Sequence, residues 1–407
     1  MVYPVLFLIP VALAIAFPLS AALVRLGHRL GTLDGPGIPG QVKSQIRRVP
    51  NTGGIAIVAA FVLPILFGLA ALVMGVGEEL LPDAARPHLE GVRERADLAL
   101  VFVGAILGLH MVGLVDDRRP LGPWVKLAAI FIAATAVALV DQTRLLTMLD
   151  GHVGGAWLSI LVTVLWIAVV TNAFNFMDNM DGLSAGCAAV ASACFLAAAL
   201  VNGQWFIAGC LALLIGGLLG FLVFNFPPAR LFMGDGGSLV IGFILAVLTV
   251  RTTYYAPPGV IVDGHAVAAT GIGWHAVFMP VVILAVPLYD FVSVVAIRLW
   301  QRRSPFVGDL QHFSHRLVRR GLSKRAAVLV IWGFTLVTGV SGVILATLEA
   351  WQAVLVGVQT LVILGVIAAF EYGTSDAHRR ARRGRGGDVN GEGSSVDSAA
   401  LGGGGVA

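Results

Sequence analysis

The sequence predicts an all-α protein that crosses a membrane about eleven times, with its N-terminus outside and its C-terminus in the cytoplasm. Three observations carry this prediction. Hydrophobic residues make up 57% of the 407 and charged residues 12%, whereas a soluble chain is usually about 25% charged. The apolar residues gather in stretches of about 20, the length of a helix that crosses a bilayer. Lys and Arg are concentrated between alternate stretches, as in loops that face the cytoplasm.

Eleven apolar stretches mark the expected membrane-spanning helices. The first is expected to remain as an anchor, because its basic residues follow the apolar stretch, the reverse of a cleavable signal peptide. The ninth contains Pro280 and Pro287 and is expected to bend, since proline removes a helical hydrogen bond. The stretches begin near Val2, Gly53, Leu98, Val125, Trp157, Ser184, Phe206, Ser238, His275, Ala326 and Trp351.

The distribution of basic residues gives the orientation. With an external N-terminus, only five of the 27 Lys and Arg residues fall outside, namely Arg86, Arg93, Arg95, Arg144 and Arg251. This excess on the inner side satisfies the positive-inside rule. The net charge of +4 is therefore a sign of membrane topology and not of nucleic-acid binding.

Two regions of different composition are predicted. Residues 1–371 form the membrane domain, and residues 372–407 form a cytoplasmic tail. The tail begins with clustered arginines and continues as a Gly- and Ser-rich segment without apolar periodicity, which predicts disorder. The three cysteines lie within predicted spans at no metal-ligand spacing, so no disulfide framework is expected.

The acids Asp116 and Asp117 directly follow the third apolar stretch. A helix C-terminus carries partial negative charge, so two carboxylates there need a cation nearby. That cation is either supplied by Arg118, Arg119 and Lys126 or is a bound divalent metal. Taken alone, the pair is more typical of a charge cluster that only ends the helix.

Polar side chains recur at every third position between the fifth and sixth stretches. A straight α-helix would turn these positions progressively apart, so an irregular helix end that gathers their oxygen atoms is expected. Helix capping by the last of them is the alternative, and it explains only that one residue. The four residues are Asn172, Asn175, Asp178 and Asp181.

Asp235 lies among glycines where the eighth stretch begins. Free backbone N–H groups at such a helix start suit an anionic ligand or its metal, and a plain N-cap is the alternative. In the first inner loop, Lys43, Arg47 and Arg48 offer another surface for anions.

The last long inner loop carries His312 and His315, with Arg302 and Arg303 close by in sequence. A zinc site lacks a third nitrogen or sulfur ligand. Histidines beside arginines better suit phosphate or pyrophosphate binding.

All these polar clusters are predicted to meet at the inner face of the membrane, although one to three spans separate them. A secondary transporter is the rival class, since intramembrane polar residues often mark ion pathways. Transporters place such residues near the midplane and commonly show repeated halves. Neither pattern is found in this sequence.

In the order and identity of these motifs, the chain up to about residue 370 resembles the polyprenyl-phosphate N-acetylhexosamine-1-phosphate transferases, glycosyltransferase family 4. The resemblance implies transfer of a sugar 1-phosphate from a UDP-N-acetylhexosamine to a polyprenyl phosphate lipid, with release of UMP, at the start of cell-wall or surface-polysaccharide synthesis. It implies Mg²⁺ as cofactor, with Mn²⁺ as a substitute. It also implies a cytoplasmic active site in the inner (plasma) membrane and a homodimer.

The resemblance further implies roles for individual residues. Asp116 and Asp117 correspond to a catalytic acidic pair, and Asp235 and Asn175 to metal ligands. Together with the anion-facing side chains above, the expected substrate-binding residues are Lys43, Lys126, Asn172, Asp178, Asp181, Arg302, Arg303, His312 and His315.

Two departures from the family pattern bear on the sugar. Relatives often carry Arg-Lys-x-His in the first loop, where this chain has Val42-Lys43-Ser44-Gln45. The histidine loop resembles the His-x-His-His form of the N-acetylglucosamine branch, with Ser314 in place of the middle histidine. Three successive histidines, usual in the N-acetylmuramoyl-pentapeptide branch, are not present. N-acetylglucosamine or a close N-acetylhexosamine is therefore expected, with the N-acetylmuramoyl-pentapeptide substrate as the alternative.

Overall fold

The computed structural model describes residues 1–34, 47–76, 89–94, 96–140, 144–252, 261–262, 265–266, 274–306 and 310–372. Ten helices in these ranges are long and apolar enough to cross a membrane. They are α1 Val2–Leu30, α2 Gly54–Met74, α4 Ala96–Asp116, α5 Pro123–Val140, α7 Trp157–Met177, α8 Leu183–Val201, α9 Trp205–Asn225, α10 Asp235–Thr252, α14 Lys324–Val343 and α15 Ala350–Tyr372. The prediction of an all-α, multi-pass membrane protein is confirmed.

Shorter elements connect or interrupt these helices. The α-helices are α3 Leu89–Glu94, α6 Asp150–Val153, α11 Met279–Ile283, α12 Ala285–Trp300 and α13 Phe313–Arg319. Single 3₁₀ turns cover Thr147–Leu149, Trp274–Phe278 and Leu345–Thr347. Two short strands, β1 Ile261–Val262 and β2 His265–Ala266, pair antiparallel with Ile261 opposite Ala266 and Val262 opposite His265.

The predicted span near His275 is not one continuous helix. It is divided into a 3₁₀ turn, α11 and α12, with Leu284 between the two α-helices. Pro287 lacks the N–H group that would bond to the carbonyl of Ile283, which accounts for a break at this point. Residues 279–300 still extend about 33 Å at 1.5 Å per residue, enough to cross a bilayer. The difference between ten uninterrupted helices in the described ranges and eleven predicted spans is this broken segment.

Helix α10 lies at the centre of the bundle. Every residue from Gly236 to Val250 is buried, and α10 packs against α2, α4, α7 and α8. The N-terminal helix α1 packs along α9 and exposes apolar side chains such as Tyr3 and Phe7. A helix that is apolar on all sides is expected to be central, and α10 is such a helix.

Tertiary contacts divide the chain into two units, Met1–Thr360 and Leu361–Ala407. Of the second unit, the structure describes only Leu361–Tyr372, the end of α15. The tail predicted at residues 372–407 lies, beyond Tyr372, outside the described residues.

Glycines allow the backbones around the start of α10 to approach closely. A Cβ atom on Gly113 of α4 would collide with the backbone of Asp235 and Gly236, and one on Gly54 of α2 would lie 2.5 Å from the nitrogen of Gly237. Small residues at helix contacts are typical of membrane bundles, where association depends on close packing. These contacts bring the ends of α2, α4 and α10 together.

The close approach at Gly113 gives a prediction with a matched control on the same helix. Gly113→Ala should lower the free energy of unfolding by about 1–3 kcal/mol, the usual cost of overpacking. Gly108→Ala should not lower it, because a Cβ there meets nothing within 4 Å and alanine favours a helix. Unfolding midpoints in detergent micelles test this pair. Equal midpoints for the two variants would contradict the packing described here.

Candidate active site

Lys126 connects two carboxylates that are far apart in sequence. It lies in the first turn of α5, and its Nζ donates to Oδ2 of Asp116 at 3.0 Å and to Oδ2 of Asp235 at 2.7 Å. The other oxygen of Asp116 accepts from the backbone N–H of Leu121 at 2.8 Å. The cation expected beside the acid pair is thus present, and Lys126 supplies it. The C-terminus of α4 and the N-termini of α5 and α10 meet at this point.

Asp117 caps α10. Its Oδ1 accepts from the backbone N–H of Asp235 and from Nδ2 of Asn51, both at 3.0 Å, and its Oδ2 accepts from the N–H of Gly236 at 3.3 Å. Gly234 precedes the helix at φ +72°, and a Cβ there would collide with Asp117. The expectation that the first N–H groups of α10 are free for a ligand is therefore wrong, because Asp117 accepts hydrogen bonds from them.

The irregular helix end predicted after Asn172 is present. Helix α7 ends at Met177, Asp178 follows, and α8 begins only at Leu183. The Nδ2 of Asn175 donates to Oγ of Ser238 at 2.9 Å, one turn into α10 from Asp235. The Nδ2 of Asn172 instead donates to the carbonyl of Ala168 in its own helix at 2.8 Å. Asn175 therefore joins the cluster around α10, whereas the amide of Asn172 turns back along α7.

Asp181 does not cap the following helix. The N-cap position is Gly182, at φ +71°, and it makes no side-chain capping bond. Asp181 is buried, pairs with Arg47 and accepts from the N–H of Ala229 at 2.9 Å. The capping interpretation is thus wrong, and Asp181 instead connects the first inner loop to the turn before α10.

Carboxylates crowd this end of the bundle. Burial and the charges of Asp235, Asp117 and Asp181 raise the pKa of Asp178 to about 8. Burial and the charge of Asp235 raise the pKa of Asp117 to about 7. Among the described residues, no hydrogen bond or ion pair is formed by the side chain of Asp178. A cation that reached this cluster would relieve the repulsion.

The donor atoms of this cluster fit a hard divalent cation. Among the described residues, no group of three or more His, Cys, Asp or Glu side chains is arranged to hold a metal ion. The cluster does offer carboxylate oxygens on Asp235 and Asp178 and an amide oxygen on Asn175, whose Nδ2 is already bonded. Mg²⁺ is usually bound through one or two carboxylates, with waters and substrate phosphates completing its coordination. Three acids on the protein are therefore not required.

The histidine loop packs on the turn that carries Asp178. The Nδ1 of His312 lies 2.9 Å from Oδ2 of Asp290, and the Oγ of Ser314 donates to Oδ1 of Asn179 at 2.5 Å. His315 is partly buried, and burial followed by the charges of His312 and Arg319 lowers its pKa to about 4. His315 is therefore neutral at neutral pH.

Two predicted substrate-binding residues have no described contact with the cluster. Arg302 and Arg303 are exposed at the end of α12, and no described contact connects either to the carboxylates. Lys43 lies outside the described residues.

Three residues at the site were not identified from the sequence. Asn51 holds Asp117, and Asp290 holds His312. His110 of α4 is buried, and its Nδ1 donates to the carbonyl of Gly236 at 2.7 Å. Two of the three were detectable in principle, because ionisable residues inside apolar stretches usually have a functional role.

The fold and this cluster together define a multi-pass membrane protein with a strongly polar site at one end of its helix bundle. The chain belongs to glycosyl transferase family 4, whose model matches residues 99–253. It is a phospho-sugar transferase.

Three relatives support the assignment. The chain is 26% identical over 365 residues to a probable undecaprenyl-phosphate N-acetylglucosaminyl 1-phosphate transferase of Bacillus subtilis, covering 88% of this chain and 89% of the relative. It is 34% identical over 277 residues to the phospho-N-acetylmuramoyl-pentapeptide-transferase of Desulforudis audaxviator, covering 61% and 76%. It is 31% identical over 287 residues to the decaprenyl-phosphate N-acetylglucosaminephosphotransferase of Mycobacterium tuberculosis, covering 66% and 69%.

The lowered pKa of His315 gives a prediction for pH dependence. The unfolded chain takes up a proton at His315 near its ordinary pKa of 6.5, and the folded protein only near 4. This histidine therefore destabilises the fold increasingly as pH falls from about 6.5 towards 4. His315→Asn should lose less stability than the wild type between pH 7.5 and pH 5, as measured by unfolding midpoints. The exposed His152 is the control, and a His152→Asn variant with the same gain in acid stability would count against this reading.

Proposed function

We propose that the protein transfers N-acetylglucosamine 1-phosphate, or that of a close N-acetylhexosamine, from its UDP-sugar to a polyprenyl phosphate, with release of UMP. The observation that carries the proposal is the meeting of Asp116, Lys126 and Asp235 beside Asp117. This arrangement places a fixed cation among carboxylates at one end of the helix bundle, close to the membrane surface. A lipid phosphate and a water-soluble sugar nucleotide can both reach such a position. The names of the relatives from Bacillus subtilis and Mycobacterium tuberculosis describe an N-acetylglucosaminyl 1-phosphate transferase and an N-acetylglucosaminephosphotransferase that act with a polyprenyl phosphate.

Charge neutralisation is the main chemical task in this proposal. Both reactants are anions, so catalysis of phosphoryl transfer depends on positioning and electrostatic stabilisation. A phosphate monoester has a second pKa of about 6, so the lipid phosphate is already largely ionised at neutral pH. Lys126, held between Asp116 and Asp235, offers positive charge to an incoming phosphate. The carboxylates align groups and need not act as strong bases.

The proposed cofactor is Mg²⁺, with Mn²⁺ as a substitute. Asp235 and Asn175 would hold the ion, and Asp178 lies close enough to interact with Asp235 by charge. When bound, the ion supplies positive charge to the pyrophosphate oxygens. The raised pKa values of Asp117 and Asp178 support a cationic partner at this place, because neighbouring carboxylates repel one another without one.

The proposed location of the reaction is the cytoplasmic face of the inner (plasma) membrane. The site lies at the bundle end that carries the junctions rich in Lys and Arg, such as Arg118, Arg119 and Lys126, and these face the cytoplasm by the positive-inside rule. A homodimer, implied by the family resemblance, stays a prediction.

A second substrate is favoured by one observation. The relative from Desulforudis audaxviator, a phospho-N-acetylmuramoyl-pentapeptide-transferase, has the highest identity of the three described, 34%, although over only 61% of this chain. The match to the Bacillus subtilis protein extends over 88%. The histidine loop, His312-Phe-Ser-His315, also lacks the three successive histidines of the pentapeptide branch. N-acetylglucosamine is therefore the first candidate.

Removal of single charges tests the assignment of the site. Asp235→Asn and Asp117→Asn should each lower Mg²⁺-dependent UMP release by about 10²–10³-fold, the usual cost of losing one electrostatic contact to the transition state. Asp150→Asn is the matched control, because Asp150 pairs with Arg144 at 3.2 Å in the connection at the opposite end of α7. Near-normal turnover in both site variants would refute the assignment.

The identity of the sugar is tested by comparing two labelled substrates in parallel reactions. Membranes that contain the protein are incubated with a polyprenyl phosphate and radiolabelled UDP-N-acetylglucosamine or UDP-N-acetylmuramoyl-pentapeptide. Label from UDP-N-acetylglucosamine should become lipid-extractable at least tenfold faster. A site that binds one sugar specifically usually has a kcat/KM for a poorly matched sugar that is lower by about 10-fold or more. Faster transfer from the pentapeptide substrate would establish the alternative.

A further inference from the structure

A buried carboxylate outside the acid cluster has the geometry of a positioning group. Asp290 of α12 is only 2% exposed and accepts two hydrogen bonds. Its Oδ2 lies 2.9 Å from Nδ1 of His312, and its Oδ1 accepts from the backbone N–H of Phe313 at 2.6 Å. The second bond caps the first residue of α13. Asp290 therefore fixes both the start of α13 and the ring that precedes it.

The bond to Asp290 determines which nitrogen of His312 faces outward. An ionised carboxylate only accepts hydrogen bonds, so Nδ1 must carry the proton. The Nε2 atom has no hydrogen-bond partner among the described residues. Nε2 is therefore free to bond to a ligand, although the side chain is only 4% exposed.

The ring of His312 lies beside the chain segment that carries Asn175 and Asp178. The ring of His312 packs edge-on against Phe176, with ring centres 6.2 Å apart. Phe176 follows Asn175 and precedes Asp178 by two residues. The neighbouring Ser314 is bonded to Asn179. The histidine is thus fixed against the segment that carries the metal-facing and sugar-nucleotide-facing residues of the proposed function.

We infer that Asp290 is a positioning residue, which holds His312 in its Nδ1–H form so that Nε2 is presented to the bound sugar nucleotide. This inference rests on the proposed function for the identity of the ligand. In this form Nε2 accepts a hydrogen bond when the ring is neutral and donates one to a phosphate oxygen when the ring is charged. In other proteins too, a carboxylate or carbonyl that accepts a hydrogen bond from one ring nitrogen of a histidine fixes the tautomer and the orientation of the ring.

Asp290→Asn separates this role from a purely structural one. An asparagine has one acceptor oxygen, and the backbone N–H of Phe313 cannot change its proton, so the oxygen should stay on Phe313. The NH₂ group then faces Nδ1 of His312 and forces the proton to Nε2. The cap of α13 is kept, while the acceptor form of Nε2 is lost.

The first arm of the experiment reads the proton directly and needs no activity. The protein is labelled with ¹⁵N-histidine, and the signal of His312 is assigned from its loss in His312→Gln. The expected result is a protonated Nδ1 in the wild type and a protonated Nε2 with a bare Nδ1 in Asp290→Asn. A bare Nδ1 in the wild type would overturn the inference, whether or not the protein is a transferase.

The second arm is a double-mutant cycle on transfer from radiolabelled UDP-N-acetylglucosamine. Asp290→Asn should lower kcat/KM by about 10–100-fold, as is usual for a group that orients a site histidine. In a His312→Gln background the same change should have no further effect, because Asp290 acts through His312. Val292→Ala, at an exposed position of the same helix, is the control and should keep wild-type kcat/KM.

The outcomes separate the two proposals. Full additivity of Asp290→Asn and His312→Gln, or wild-type kcat/KM in Asp290→Asn, would show that Asp290 does not act through His312. A wild-type protein that transfers no label but shows the expected Nδ1–H signal would refute the proposed function and leave the positioning role of Asp290 supported.

Discussion

Mutual repulsion among carboxylates is the constraint on which the site depends. Burial and the charges of Asp235, Asp117 and Asp181 raise the pKa of Asp178, and burial and the charge of Asp235 raise the pKa of Asp117. The protein offsets this with fixed donors: Lys126 between two of the helix ends, Arg47 on Asp181, and backbone N–H groups on Asp117. Each donor is more than 50 residues away in sequence from the carboxylate to which it bonds. The exception is the bond from Lys126 to Asp116, which are ten residues apart. The site therefore exists only when the bundle is assembled.

Close backbone packing makes this assembly geometrically feasible. Gly54 and Gly113 let α2 and α4 reach the first turn of α10, and His110 of α4 is bonded to the carbonyl of Gly236 in that turn. The helix dipole of α10 then stabilises the carboxylate of Asp117 at its N-terminus. The same few backbone groups thus both join the helices and hold the carboxylate of Asp117.

The sequence was sufficient for the fold class and for part of the polar cluster, because hydropathy and the order of motifs are local properties. It predicted Asp116, Asp117 and Asp235 at one place, and the structure brings them together through Lys126. It did not predict that Asp117 caps α10 or that Asp181 pairs with Arg47, since the partners are separated by more than 100 residues. Periodicity reports which side of a helix is apolar, and it does not report which distant loop that helix meets.

Helix α10 and the outer helices differ in their exposure to the surrounding lipid. The residues of α10 from Gly236 to Val250 have no access to the outside of the bundle, whereas α1 and α2 present exposed apolar side chains such as Phe7 and Phe67. Hydrophobic mismatch with a thinner or thicker bilayer is accommodated by tilt of the outer helices. The helix that begins with Asp235 presents no exposed side chain from Gly236 to Val250 through which the surrounding lipid could act on it directly.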